Sequence, residues 1–188
     1  MKAERFDVKN VTCVYPKLGE RDEYQGQSKF KIDLLTNDIK DFAPIQEAID
    51  KIVKEKKLKN FRSPIQAGED KMTQSGEPAK IYSDFGFYAK VSTKFDIFVC
   101  NQYNKVIFDS YKKIGSKEPV EELFYSGCKV TVRMSARYYK SASGAGIALD
   151  LYGVKFEGDG DRLSSGSEDN PFGAEIDAPE SAEGFPAE

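Results

Sequence analysis

KVTVRMSARYYKSASGAGIALDLYGVKF, residues 129–156, decides the fold. Its first eleven residues alternate. Val130, Val132, Met134, Ala136 and Tyr138 fall on one side, and Lys129, Thr131, Arg133, Ser135, Arg137 and Tyr139 on the other. That is the period of two expected of a half-buried β-strand. The Ser/Gly/Ala-rich stretch 141–146 supplies a turn, and Ile147–Phe156 follows with apolar residues on both faces, the mark of a central strand. Gly153 within it signals a bulge or a close backbone approach.

Outward from this pair, further strands show the same signal. Arg5–Tyr15 is rich in Val, Thr and aromatic residues and stops at Pro16. Ser28–Leu35 alternates Phe30, Ile32 and Leu34 with Lys29, Lys31 and Asp33, and Phe87–Phe95 alternates Phe87, Ala89, Val91, Thr93 and Phe95 with Tyr88, Lys90, Ser92 and Lys94. Ile97–Cys100 and Lys105–Phe108 form a hairpin candidate with Tyr103 near its tip. Between the strands, Ile39, Phe42, Ile45, Ile49, Ile52 and Val53 recur at three and four residues, so 38–57 reads as one amphipathic helix capped by Asn37 or Asp38, with Pro44 a false start or a kink. EPVEELF, 118–124, reads as a short helix with Pro119 in its first turn. Lys17–Gln27 reads as a loop or ragged hairpin, and 62–80, with two Pro and two Gly, as a long loop of the kind that is functional or disordered. The sum is a mainly β domain with one principal helix: a mostly antiparallel barrel or sandwich.

Charge divides the chain into two parts. Residues 164–188 hold Glu168, Asp169, Glu175, Asp177, Glu180, Glu183 and Glu188, no Lys or Arg, and two isolated rings, Phe172 and Phe185. Of 28 basic and 31 acidic residues in the chain, 28 and 24 remain in 1–163, a net of +4. A mildly basic domain, 1–163, thus carries a polyanionic tail, 164–188, too poor in apolar surface to fold. The chain has no His, the commonest general acid/base and metal ligand. Phosphate loops, nucleophile elbows and dinucleotide fingerprints are also missing. No catalytic residue, metal or cofactor is expected. Cys13, Cys100 and Cys128 are widely spaced, which argues against a disulfide framework or zinc site. Without a membrane span or signal peptide, the expected location is the cytoplasm.

The polar faces carry the functional signal. Lys29 and Lys31, then Tyr88, Lys90 and Lys94, then Arg133, Arg137 and Tyr139 repeat cations with interleaved aromatic rings, and Tyr103 adds a ring at a loop tip. Single-stranded nucleic acid is held by that combination, with cations on the phosphates and rings on unpaired bases at about 1–3 kcal/mol per base. Alternation alone also places polar residues outside, and lysine guards edge strands, so the pattern is suggestive rather than specific. The tail adds to it. An acidic, ring-bearing appendage is suited to compete with nucleic acid for a basic groove and to recruit partner proteins through Glu168, Asp169, Phe172, Glu183 and Phe185.

FYSGCKVTVRMSARYYKSASGAGIALDLYGVKFEGDGDRLSSG, residues 124–166, resembles the bacteriophage single-stranded DNA-binding proteins with an OB-fold, a family formerly catalogued as a domain of unknown function. The resemblance rests on Phe124–Cys128, on Gly146 and Ile147, on Leu149–Val154 and on Glu157–Arg162 ahead of the acidic tail. Weaker echoes are Tyr15–Pro16, Ser63–Pro64 and Glu69–Asp70. It implies an OB-fold-like antiparallel five-stranded barrel with additions and a disordered acidic tail. It also implies non-catalytic, sequence-tolerant binding of single-stranded DNA in phage replication, recombination and repair, inside the host cytoplasm, with phage or host proteins as tail partners. A cold-shock-like RNA-binding module is the alternative, since no residue pattern reads the 2′-hydroxyl. The ordinary OB order places three strands before its helix, whereas two are legible before Asp38. Either Lys17–Gln27 hides a strand or the helix is an insertion.

Overall fold

The computed structural model describes residues 3–164. The domain is built on eight strands: β1 (Arg5–Tyr24), β2 (Gln27–Thr36), β3 (Ile65–Ala67), β4 (Phe87–Thr93), β5 (Phe98–Cys100), β6 (Val106–Asp109), β7 (Lys129–Ser141) and β8 (Gly144–Gly158). They pair in the order β3-β4-β2-β1-β7-β8-β5-β6, and an added β4–β8 pairing closes β1, β2, β4, β8 and β7 into a five-stranded ring. Four contacts of the ring are antiparallel, while β4 and β8 run parallel through Val91 opposite Leu149 and Ser92 opposite Asp150. The closed OB barrel expected above is present, with mixed pairing where an antiparallel one was expected.

Its interior is filled from every strand of the ring: Val8 and Cys13, Ile32 and Leu34, Ala89 and Val91, Val130 and Val132, Leu149 and Leu151 are buried. Cys13 and Cys128, 115 residues apart, meet there with their sulfurs 3.4 Å apart as free thiols. Their mutual hydrogen bond lowers the Cys128 thiol below its ordinary range and raises that of Cys13.

The helix α1 (Ala43–Lys56) follows a 3₁₀ turn at Ile39–Phe42, capped by the Asp38 carboxylate, which accepts from the Lys40 N–H at 3.0 Å. Pro44 stands in the first turn of α1, where its missing N–H costs nothing, so it starts the helix instead of kinking it. Phe42, Ile45 and Ile49 are buried in the barrel core. In chain order α1 lies between the second and third barrel strands, so it is an insertion. The position between the third and fourth barrel strands belongs to α3 (Lys117–Leu123).

Of the two readings of 17–27, loop or ragged hairpin, the structure shows the hairpin: Lys17–Tyr24 continues β1 and turns into β2. The pairing with β2 slips between Val14 and Lys17 and again between Lys17 and Asp22. Each slip breaks the period of two, and Glu20, Arg21, Glu23 and Tyr24 are exposed, so no alternation survives to be read in the sequence. The stretch 62–80 also holds structure. Arg62 pairs with Gly146 of β8, and Ile65–Ala67 pairs with Ala89–Phe87 of β4, so this segment fills the gap where β4 and β8 part. Beyond it, α2 (Lys80–Ser83) lays Ile81 and Tyr82 on the outside of the barrel, where they form a second apolar cluster with Val14, Leu35 and Tyr88.

Candidate nucleic-acid interface

The outer surface of β1, β2 and β4 is a band of cations. Pairing places Lys17 opposite Lys31, Lys31 opposite Ser92, and Asp33 opposite Lys90. Lys29 and Lys94 extend the same surface along their strands. Lys31 is engaged by Asp22 at 2.5 Å, whereas Lys17, Lys29, Lys90 and Lys94 have no ion-pair partner among the described residues. Four predicted residues, Lys29, Lys31, Lys90 and Lys94, therefore share one face because β2 and β4 are neighbours.

Two further groups complete this face. Lys71, on the loop before α2, holds its ammonium 5.6 Å from the centre of the Tyr82 ring. Burial, then the crowding ammonium of Lys90 and the charge of Lys31, with Asp33 pulling the other way, bring Lys71 down to about 8. An ammonium depressed by burial and by neighbouring ammonium groups would regain its charge beside an anion. Two acids meet the cluster, Asp22 on Lys31 and the more buried Asp33 between the strands. Burial raises Asp33 above the usual carboxylate range, although the Tyr82 hydroxyl donates to it at 2.5 Å and Lys90, Lys71 and Lys31 favour its charge. Burial and the adjacent Asp33 push the Tyr82 phenol far up, so its proton stays in that bond.

The second group is Tyr15. It sits at the β1 slip with φ of +50°, a conformation that bulky residues avoid and that is kept where surrounding structure imposes it. The Ser126 hydroxyl accepts from its N–H at 2.9 Å, and its ring, 45% exposed, lies 6.3 Å from that of Tyr82. Tyr15 is thus an open ring at the rim of the lysine cluster. In the sequence Tyr15 reads only as a strand end and Lys71 only as one residue of an irregular loop.

Several predicted site residues fall elsewhere. Tyr88 does point out of the barrel, but it is 4% exposed: Tyr82 packs edge-on against it at 5.1 Å and its hydroxyl donates to Gln66. It supports the face from below and is covered as a stacking platform. Arg133 and Arg137 lie on β7, two strands from both β2 and β4 around the ring. Each is held by a carboxylate, Arg133 by Asp7 of β1 at 2.8 and 3.0 Å and Arg137 by Asp150 of β8 at 2.9 and 3.3 Å. Asp150 stands opposite Ser92 of β4, so Arg137 reaches toward the lysine face, whereas Arg133 is carried to the β1–β7 seam away from Lys90. Tyr139 stands opposite Gly146, where its ring lies so close that a Cβ would fall 2.4 Å from it, and Arg62 flanks the same glycine. Arg62 and Tyr139 line one surface depression together with Ser141 and Ser143. Tyr103 is 80% exposed at the β5–β6 turn, apart from that face. Glu168, Asp169, Phe172, Glu183 and Phe185 lie outside the described residues.

Among the described residues no cluster of three potential metal ligands occurs, and no helix is long and apolar enough to cross a membrane. The family model for the single-stranded DNA-binding protein of Enterobacter phage Enc34 matches residues 6–182. The chain belongs to that family. The bacteriophage Enc34 protein solved in complex with single-stranded DNA superposes with a TM-score of 0.65 at 20% identity, over 85% of this chain and 89% of that one. A C-terminal truncation of the same Enc34 protein gives 0.64 at 21%, over 85% and 88%. The single-stranded DNA-binding protein gp2.5 of bacteriophage T7 gives 0.57 at 16%, over 99% and 100%. At these identities the neighbours establish the shared fold. No curated protein matches the chain.

Proposed function

We propose that this protein binds single-stranded DNA, without sequence preference and without catalysis, across the outer face of β1, β2 and β4. The observation that carries the reading is the group of Lys31, Lys71 and Lys90 gathered around the buried carboxylate of Asp33, with Lys17 opposite Lys31 and the open Tyr15 ring close by. The cations accept phosphates and Tyr15 offers its face to a base. None of these groups is set to read base edges, which suits coating of transiently exposed strands in phage replication, recombination and repair. Membership in a family described as single-stranded DNA-binding, and the Enc34 protein solved with such DNA, support the same reading.

The domain is residues 1–163 and the acidic segment 164–188 is its competitor and its handle. Leu163 donates its N–H to the Ser126 carbonyl at 2.9 Å and packs against the Val14, Tyr82 and Tyr88 cluster, so the chain leaves the domain beside Tyr15. Carboxylates starting there are in reach of the lysines. When DNA displaces them, Phe172 and Phe185 become free for replication or recombination proteins.

Titration of a labelled single-stranded oligonucleotide at two salt concentrations tests this, with full-length protein and with protein ending at Leu163. The shorter protein should bind more tightly, and log K should fall with log salt at about 0.7 per phosphate neutralised. Equal affinity for duplex would refute single-strand binding, weaker binding without the tail would refute competition, and preference for matched RNA would favour the cold-shock-like alternative.

A further inference from the structure

Five of the nine most exposed large apolar side chains among the described residues lie between Phe95 and Ile114, around the β5–β6 hairpin. Phe95 and Tyr111 are 79% and 78% exposed. Rings so exposed are a liability unless something covers them.

These two rings are held on rigid loops at one end of the hairpin. The Phe95 N–H donates to the Thr93 hydroxyl at 3.1 Å. Ser110, just before Tyr111, donates its N–H to the Ile97 carbonyl at 3.0 Å and its hydroxyl to Asp96 at 2.9 Å, and the Ile97 N–H returns to that hydroxyl at 2.9 Å. The loops carrying Phe95 and Tyr111 are thereby fastened to each other. Beyond Tyr111, the Lys112 N–H is tied to the Asp109 carboxylate at 3.0 Å.

The local charge is positive. Lys94, Lys112 and Lys113 are exposed and have no ion-pair partner among the described residues, while the nearby Asp96 is already engaged by Ser110 and by Arg21 at 3.6 Å. Lys94 directly follows β4, so this end of the hairpin continues the face carrying Lys29 and Lys90.

We propose that Phe95 and Tyr111, flanked by Lys94, Lys112 and Lys113, form a second stacking platform for single-stranded DNA, engaged only by strands long enough to run past the barrel face. The inference rests on the function proposed above and adds an outer subsite to it. Charge favours DNA as the occupant over a second copy, because two such patches facing each other would bring lysines together.

The test is a length series of oligoadenylates, from roughly 4 nucleotides, the low end for one OB-fold, to roughly 20. The variants are Phe95→Ala with Tyr111→Ala, and Tyr103→Ala as an equally exposed control at the opposite end of the hairpin. The double variant should leave binding of the shortest ligand unchanged and lose tenfold or more on the longest, while Tyr103→Ala follows the parent protein. Because the chain contains no Trp, Phe95→Trp adds a single reporter, whose fluorescence long strands should quench and short ones should not. An equal loss at every length, or no loss at any, overturns the platform. So does unchanged affinity combined with lost cooperative filling of a long polymer, which would make the surface a contact between copies. If the parent protein fails to bind at every length, the proposed function itself falls.

Discussion

Raising the pH from 7 to 9 should weaken single-stranded DNA binding through Lys71. With its ammonium brought down to about 8, Lys71 in the free protein is about nine-tenths charged at pH 7 and about one-tenth charged at pH 9. A phosphate beside it restores the proton, so binding takes up protons across this window. The full effect is about tenfold in affinity between the two pH values, and less to the extent that water screens this half-buried group. Fold stability moves the other way. Between about 8 and the ordinary lysine value near 10.4 the unfolded chain holds the extra proton at Lys71, so this group makes folding more favourable as pH rises. Weaker binding therefore cannot be put down to unfolding at this site. The assay is an anisotropy titration with oligoadenylate, whose bases do not titrate in this range, at constant ionic strength. Lys71→Arg keeps its charge throughout and should flatten the profile, whereas Lys71→Ala should bind more weakly at pH 7 and lower the salt slope by about 0.7. Identical pH profiles for parent and Lys71→Arg would refute the reasoning.

Other substitutions probe the rest of the arrangement. Arg133→Ala removes an exposed ion pair at the β1–β7 seam, away from Lys90, so it should change oligonucleotide affinity less than about twofold and stability by about 1 kcal/mol or less, checked by titration and thermal melting. Asp33→Asn removes the buried carboxylate among the lysines while leaving an oxygen for the Tyr82 hydroxyl, so DNA should bind more tightly below pH 7, with an earlier loss as pH rises because Lys71 no longer has that favourable charge. Gly127→Ala should destabilise the fold by about 3 kcal/mol, visible as a lower Tm, because φ is +112° and the new Cβ would stand 1.8 Å from the Asp161 carbonyl oxygen.

Alternation in the sequence reports which side of a strand a residue occupies, and at that level the reading was sound: Lys29, Lys31, Lys90, Lys94, Arg133 and Arg137 all lie outside the barrel core. It carries no information about which strands are neighbours in a closed ring. Lys31 and Lys90 meet because β2 pairs with β4, and Arg133 is carried away because β7 joins β1 and β8. Nor does a period of two show when an outward residue is roofed over. Tyr88 has the right orientation, yet α2 arrives from an irregular stretch and buries it. Lys71 was hidden for the same reason, since it lies where no period exists. Tyr15 depends on a backbone slip that nothing in its neighbours' chemistry announces. The β1 extension was lost to the same slips, while α1, whose caps and apolar stripe are local, was legible almost to the residue.

A carboxylate at the centre of a proposed polyanion site repels the ligand, and the geometry explains its presence. Four ammonium groups on adjacent strands and one loop repel each other, and with no interior charge the flexible side chains would splay into water. Asp33, fixed by the Tyr82 hydroxyl, attracts Lys31, Lys71 and Lys90 together, and the Tyr82 ring supports Lys71 from beneath. The lysines are thereby gathered before any phosphate arrives, which lowers the ordering cost of binding. Burial raises Asp33 above the usual carboxylate range while the three lysines favour its charge. On the proposed function, a site organised in this way would hold a strand by charge and shape, and would be open to competition by the acidic segment that follows Leu163.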